Sequence, residues 1–180
     1  MNADRTRPPL PETPQTLPEF MAQALWMERE AVARYTELAE ALESHNNREV
    51  AALFRTMAGY EARHAEQIMA EMGWQDDAAV PRLPPGRLDA DVGEMPALDS
   101  VHYLMQPWHA LQLALAAERR AEAFFAMLAR LAVSEPVRQA ALQLQAEEAG
   151  HVALIQAWIE KVPVPDPDWA DDPDPPRYTD

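Results

Sequence analysis

An all-α fold, a bundle of four helices arranged as two antiparallel hairpins joined by a long crossover, is predicted by three features of this 180-residue sequence. Apolar residues recur at three- and four-residue steps over four long stretches, the period of a helix with one buried face. The first and last connections between these stretches are short, whereas the middle one covers about residues 73–97. That is too long for a hairpin turn and long enough to run the height of a bundle. Acidic and histidine side chains interrupt the apolar faces at corresponding places in the two halves.

The first helix is expected from about Pro18 to Ser44, with Met21, Ala24, Leu25, Ala31, Val32, Tyr35, Leu38, Ala39 and Leu42 on its inner face and Glu28 inside that series. The second opens near Asn46, with Glu49 as a capping-box partner, and continues through Val50, Leu53, Phe54, Met57, Ile68 and Met72. Glu61 and His64 fill the gap between Met57 and Ile68, and Gly73 suits the stop. The third helix spans roughly Ser100 to Ala132, disturbed at Pro107, with Leu104, Trp108, Leu111, Leu115, Ala121, Phe125 and Leu128 on one face and Glu118 among them. The fourth starts at Ser134-Glu135-Pro136 and carries Val137, Ala141, Leu144, Ile155, Trp158 and Ile159, interrupted by Glu148 and His151.

Residues 18–161 thus form the bundle, flanked by a flexible proline-rich arm at 1–17 and an acidic, proline-rich tail at 162–180. Proline removes backbone donors and neighbouring aspartates repel, so neither end favours regular helix. The expectation for the tail is a solvated arm, although Trp169 and Tyr178 give it groups that could dock.

The formal net charge of -15 argues against a nucleic-acid partner, which would need basic side chains to neutralise phosphates. With no cysteine, these residues offer no disulfide, iron–sulfur cluster, zinc ribbon or thiol nucleophile. No apolar run resembles a signal peptide or reaches the length of a membrane span, so a cytoplasmic protein without a membrane partner is expected.

A carboxylate in an apolar seam is costly unless it is paired or binds a metal. Four glutamates and two histidines occupy such places, in the order Glu28, Glu61-Ala-Arg-His64, Glu118, Glu148-Ala-Gly-His151. Glu28 precedes its Glu-x-x-His by thirty-three residues and Glu118 by thirty, and each is followed seven residues later by an aromatic residue, Tyr35 or Phe125, so the halves read as duplicated hairpins. Residues three apart share a helix face, and each Glu-x-x-His can aim a carboxylate and an imidazole at one point. A lone pair of this kind is usually solvated; six in this order match the inward-facing ligands of a di-iron or di-manganese carboxylate bundle. The mixed oxygen and nitrogen set suits two iron ions, with manganese or a mixed iron–manganese pair as alternatives. Glu61 and Glu148 are the expected bridges.

Among neighbouring groups, Glu122 lies one turn after Glu118 and is a candidate extra ligand, while Tyr35, two turns after Glu28, is a candidate hydrogen-bonding partner for a ligand. Glu30, Glu66 and Glu147 fall one or two residues from proposed ligands and are expected to face solvent. His45, His102 and His109 have no matching partners and read as structural or surface residues.

The stretch Glu28-Arg-Glu-Ala-Val-Ala-Arg-Tyr35-Thr-Glu-Leu-Ala resembles the first-helix signature of the rubrerythrin-like branch of the ferritin-like superfamily, and the two Glu-x-x-His pairs are similar to its later signatures. The resemblance covers about residues 18–161. It implies a ferritin-like bundle whose six residues act through two irons that react with oxygen or hydrogen peroxide. Rubrerythrins typically add a cysteine-ligated rubredoxin domain, which a cysteine-free sequence cannot supply. Peroxide reduction would then require an external electron donor, whereas ferroxidase activity needs only ferrous iron. The leading expectation is a di-iron oxidoreductase of iron homeostasis or oxidative-stress defence, working as a homodimer. The alternatives are a non-catalytic iron-storage protein and a di-iron hydroxylase of an organic substrate.

Overall fold

The hairpin turns follow from capping chemistry. The computed structural model describes residue 14 and residues 16–83 and 101–172. Among these residues are four α-helices, α1 (Leu17–Ser44), α2 (Arg48–Glu71), α3 (Pro107–Leu131) and α4 (Glu135–Ile159), and a short 3-10 turn at Asp77–Ala79. Most of the predicted arm at 1–17, residues 84–100 of the connection and the end of the tail lie outside the described residues.

Thr16 caps α1 through a reciprocal box with Glu19, and Pro18 fits the first turn, where no intrahelical donor is lost. At the other end of α1, Asn46 takes a left-handed conformation (φ 64°), letting the Asn47 amide reach the Leu42 carbonyl at 2.9 Å. Gly73 (φ 68°) does the same for α2, with the Trp74 amide bonded to the Met69 carbonyl at 2.9 Å. Both helices therefore end in the six-to-one closure that satisfies otherwise orphaned carbonyls.

This geometry moves the start of α2. Asn46 is the turn residue and Asn47 the cap, its side-chain oxygen accepting from the Val50 amide, so Glu49 is not the capping partner expected from the sequence. The α3 boundary shifts as well. The helix begins at Pro107, not near Ser100, because proline has no amide to donate and is accommodated in the first turn after the Gln106 cap.

Each helix packs most extensively against its hairpin neighbour, α1 with α2 and α3 with α4, while α2 also touches α3 and α1 touches α4. Apolar side chains segregate into two clusters. One holds Leu38, Leu42, Val50, Phe54, Leu111 and Ile155; the other holds Phe20, Leu25, Ile68, Phe125, Val137 and Leu144. The starts of α2 and α3 share the first cluster and the end of α2 joins the second, so the connection from α2 to α3 begins and ends at opposite ends of the bundle. The Asn47 amide nitrogen fastens its upper end, donating to the Tyr103 carbonyl at 3.2 Å and the Met105 carbonyl at 2.6 Å. Arg29 secures its lower part through Asp77 at 2.7 Å.

The tail departs from the solvated-arm expectation over its first part. Val162 and Trp169 pack on the first cluster, the Trp169 ring lies 3.8 Å from that of His109, and the Tyr103 hydroxyl donates to Asp172. Aromatic burial outweighs the local preference of the proline and aspartate residues around it. Among the described residues no helix is long and apolar enough to cross a membrane.

Replacing Asn47 by alanine removes one cap acceptor and two donor bonds to the crossover. Urea unfolding of Asn47→Ala should show a loss of about 1–3 kcal/mol; a change within measurement error would show that none of the three bonds matters to stability.

Candidate metal centre

The belt between the two apolar clusters collects the predicted polar residues. Glu28 comes from α1, Glu61 and His64 from α2, Glu118 from α3, and Glu148 and His151 from α4. The four glutamates are only 3–4 % exposed, at a depth where carboxylates seldom sit unpaired. The histidines are half-buried, with their rings stacked at a centroid separation of 4.7 Å.

The second half is the more tightly bonded. His151 Nδ1 lies 3.2 Å from Glu118 Oε2 and 3.5 Å from Glu148 Oε2. Its counterpart His64 Nδ1 is 4.0 Å from Glu28 Oε2, beyond hydrogen-bonding reach, and makes no hydrogen bond. Glu61 Oε1 is likewise buried without a partner. Unsatisfied polar atoms at this depth are expensive and need a ligand or ion to complete them.

Electrostatics carries the same message. Burial and then repulsion from Glu61 and Glu148 hold Glu28 well above the usual carboxylate range. Burial, reinforced by Glu118, pushes Glu61 up to about 7, and burial likewise pushes Glu148 up to about 8. For Glu118, burial works upward but is outweighed by hydrogen bonds, first that of His151, so its pKa falls. His151 rises to about 10: burial would lower it, but its bonds to Glu118 and Glu148 prevail. His64, desolvated and facing His151, moves down.

Three sets of ligand atoms converge, all within 4.8 Å in each set: Glu61, His64 and His151; Glu28, His64 and Glu148; Glu118, Glu148 and His151. All six predicted residues are therefore brought together. Tyr35 is wholly buried and donates to Glu118 Oε1 at 3.3 Å, reaching across to the other half of the repeat. Its counterpart Phe125 instead packs edge-on against Phe20.

Glu122 is half-buried and belongs to none of the three sets. Glu30 and Glu66 are exposed as expected, but Glu147 is half-buried, in a groove between α2 and α4 that also exposes His64. The groove arises where the two hairpins meet less closely than the helices within each hairpin, and Gln143 donates to Glu147 at 3.1 Å. A second opening, between α1 and α3, reaches the four glutamates past Trp26, Met27 and Ala31. Sequence periodicity placed Ala31 and Ala121 in the core; both border this space instead.

A four-helix bundle with a carboxylate and histidine belt of this composition defines a ferritin-like protein with the donors for a dinuclear metal site. The rubrerythrin family model matches residues 19–81. A solved structure of an uncharacterized conserved protein from Magnetospirillum magnetotacticum MS-1 is similar at 35 % identity and a TM-score of 0.63, covering 84 % of this chain and 98 % of that one. The chain belongs to the rubrerythrin family. No curated protein matches it.

The pKa shifts fix the sign of a stability change in the metal-free protein. Glu61 and Glu148 have raised folded pKa values, so their contribution is fully present below about 4.5 and is lost as pH rises through about 7 and 8. His151 contributes below about 6.5 and loses that contribution towards about 10, while the Glu118 effect falls at the acid end, below about 4.5. Calorimetry of chelator-treated protein should show a melting temperature that declines between pH 5 and pH 9, to order of magnitude of these shifts. A flat or rising curve would contradict the arrangement of protons described above.

Proposed function

We propose that the six belt residues hold two iron ions and that the protein is a di-iron oxidoreductase, oxidising ferrous iron with oxygen or reducing peroxide. The observation that carries this reading is the overlap of three ligand sets in one belt, two of which include Glu61 or His64, whose buried Oε1 and Nδ1 atoms have no hydrogen-bond partner in the protein. The donors fit the metal: carboxylate oxygens and imidazole nitrogens without sulfur suit iron and manganese better than soft metals. A ferrous pair, when bound, supplies two electrons to one oxidant molecule.

The chain's own residues prepare that site. Glu148 belongs to two of the sets and Glu61 is grouped with both histidines, which supports their roles as bridges. Raised pKa values mean that Glu28, Glu61 and Glu148 carry protons more readily than ordinary carboxyls, so metal binding near neutral pH releases protons. Glu118 is held as the anion by its bond to His151, and Tyr35 fixes the other Glu118 oxygen. Desolvation raises the Tyr35 pKa, so its hydroxyl stays a donor through the neutral range. An orienting bond of this kind outside the metal shell steadies a ligand and tunes its basicity.

Anaerobic loading with ferrous ions, metal analysis and separate stopped-flow mixing with oxygen and hydrogen peroxide test the reading. The expected result is about two ions per chain and oxidation by at least one of the two oxidants. Glu61→Ala should weaken metal retention by at least about tenfold while circular dichroism still reports a helical fold. A parent protein that takes up neither iron nor manganese overturns the proposal, as does a Glu61→Ala variant that binds as tightly as the parent.

A further inference from the structure

Hydrogen peroxide and oxygen need little room, yet the opening between α1 and α3 is a cavity of about 210 Å³. Its walls are mainly apolar, formed by Trp26, Met27, Ala31, Ala117 and Ala121. Its inner end is the opposite in character: it exposes the glutamates, including Glu61, 3 % exposed with Oε1 unpartnered. Arg34 and Glu30 stand at the more exposed end, and Arg34 is already paired with Glu37 at 2.7 Å. Beyond this one cation at the rim, the described lining offers hydrocarbon contact followed by a polar terminus.

The size decides what can use it. An apolar cavity of about 150 Å³ accepts benzene, so this one has room for a molecule of about six heavy atoms or a few more. Alanines at positions 31, 117 and 121 create the space, since any larger aliphatic side chain there would project into it. A hydrated peroxide molecule gains little from such walls, whereas an alkyl group gains by leaving water.

We propose that this cavity binds the hydrocarbon part of a small organic hydroperoxide and directs its O–O group to the carboxylate belt. The inference rests on the di-iron reading above and names a substrate class for it. The O–O bond breaks, two electrons from the ferrous pair and two protons from solvent are taken up, and the products are the corresponding alcohol and water; both ferrous ions become ferric. No other reductant is needed for that single turnover. Insertion of oxygen into a C–H bond in the same cavity would draw the same two electrons from the ferrous pair but with oxygen as the oxidant, so the oxidant supplied, hydroperoxide or oxygen, separates the two reactions.

Two measurements test this, one of them without metal. Titration of the metal-free protein with tert-butanol, followed by methyl NMR, should give saturable shifts at Met27, Ala31, Ala117 and Ala121, and Ala121→Leu should abolish them. In the ferrous-loaded protein, stopped-flow oxidation by tert-butyl hydroperoxide is compared with that by hydrogen peroxide, and Ala121→Leu should lower the ratio of the two rates by about tenfold. Ala121→Val, a smaller change, should lie between variant and parent if Ala121→Leu folds poorly. Absence of tert-butanol shifts at these methyls, or a rate ratio unchanged in both variants, overturns the inference. The di-iron reading fails separately: a loaded centre inert to oxygen and to hydrogen peroxide would sink it whether or not tert-butanol binds.

Discussion

Four carboxylates buried side by side in the waist of a helical bundle are the constraint around which this molecule is organised. Left ionised and alone they would repel one another in a poorly solvated interior, with a cost that apolar packing at the two ends would have to offset. The protein relieves part of that cost with its own groups. Protons are favoured on Glu28, Glu61 and Glu148, and His151 neutralises Glu118. The relief is incomplete, because Glu61 Oε1 and His64 Nδ1 keep no partner. A fold that carries such a belt in place of leucines gives up stability there, and the two apolar clusters on either side supply the packing that makes this tolerable.

The repeat in the sequence becomes an approximate symmetry in space, and the departures from it are informative. Both halves contribute a glutamate and a Glu-x-x-His to one belt. Only the second half, however, closes its histidine onto two carboxylates, and the first half lends its Tyr35 to the second half's Glu118. Phe125, at the position equivalent to Tyr35, has been absorbed into the apolar cluster with Phe20. The two sides of the belt consequently present different environments to anything bound between them, and they open to solvent through different gaps, one apolar and leading to the carboxylates, the other bordered by His64 and Glu147.

The belt residues were legible in the sequence because an acid at a core position of a strongly periodic helix contradicts its surroundings. Glu28 between Leu25 and Tyr35 is such a contradiction. The crossover was legible from its length alone. Other features depend on information that local pattern does not contain. Asn46 and Asn47 are chemically identical, and only the left-handed turn decides which one caps α2. Trp169 sits in a run of proline and aspartate whose composition describes a solvated chain, but docking depends on a distant partner, His109, brought near by the fold. Ala31 and Ala121 read as core because alanine fits tight packing, yet the spacing between hairpins leaves them facing a cavity. Glu147 was misplaced for the same reason, since the width of the gap between α2 and α4 is a property of tertiary packing.

The crossover has a consequence for the order in which the molecule comes together. Each hairpin closes through a turn of a few residues, whereas uniting the hairpins requires closure of the chain from Met72 to Gln106. The longer closure costs about 2 kcal/mol more in chain entropy, since each doubling of loop length adds roughly 0.6 kcal/mol. Local helix pairs are therefore favoured as early structure, and the meeting of the two pairs comes late. Because half of the belt lies on each hairpin, neither pair holds a complete set of donors before that meeting. Docking of the hairpins and assembly of the site are thus a single event, and an ion binding at the junction would act as a clasp on the last step of folding.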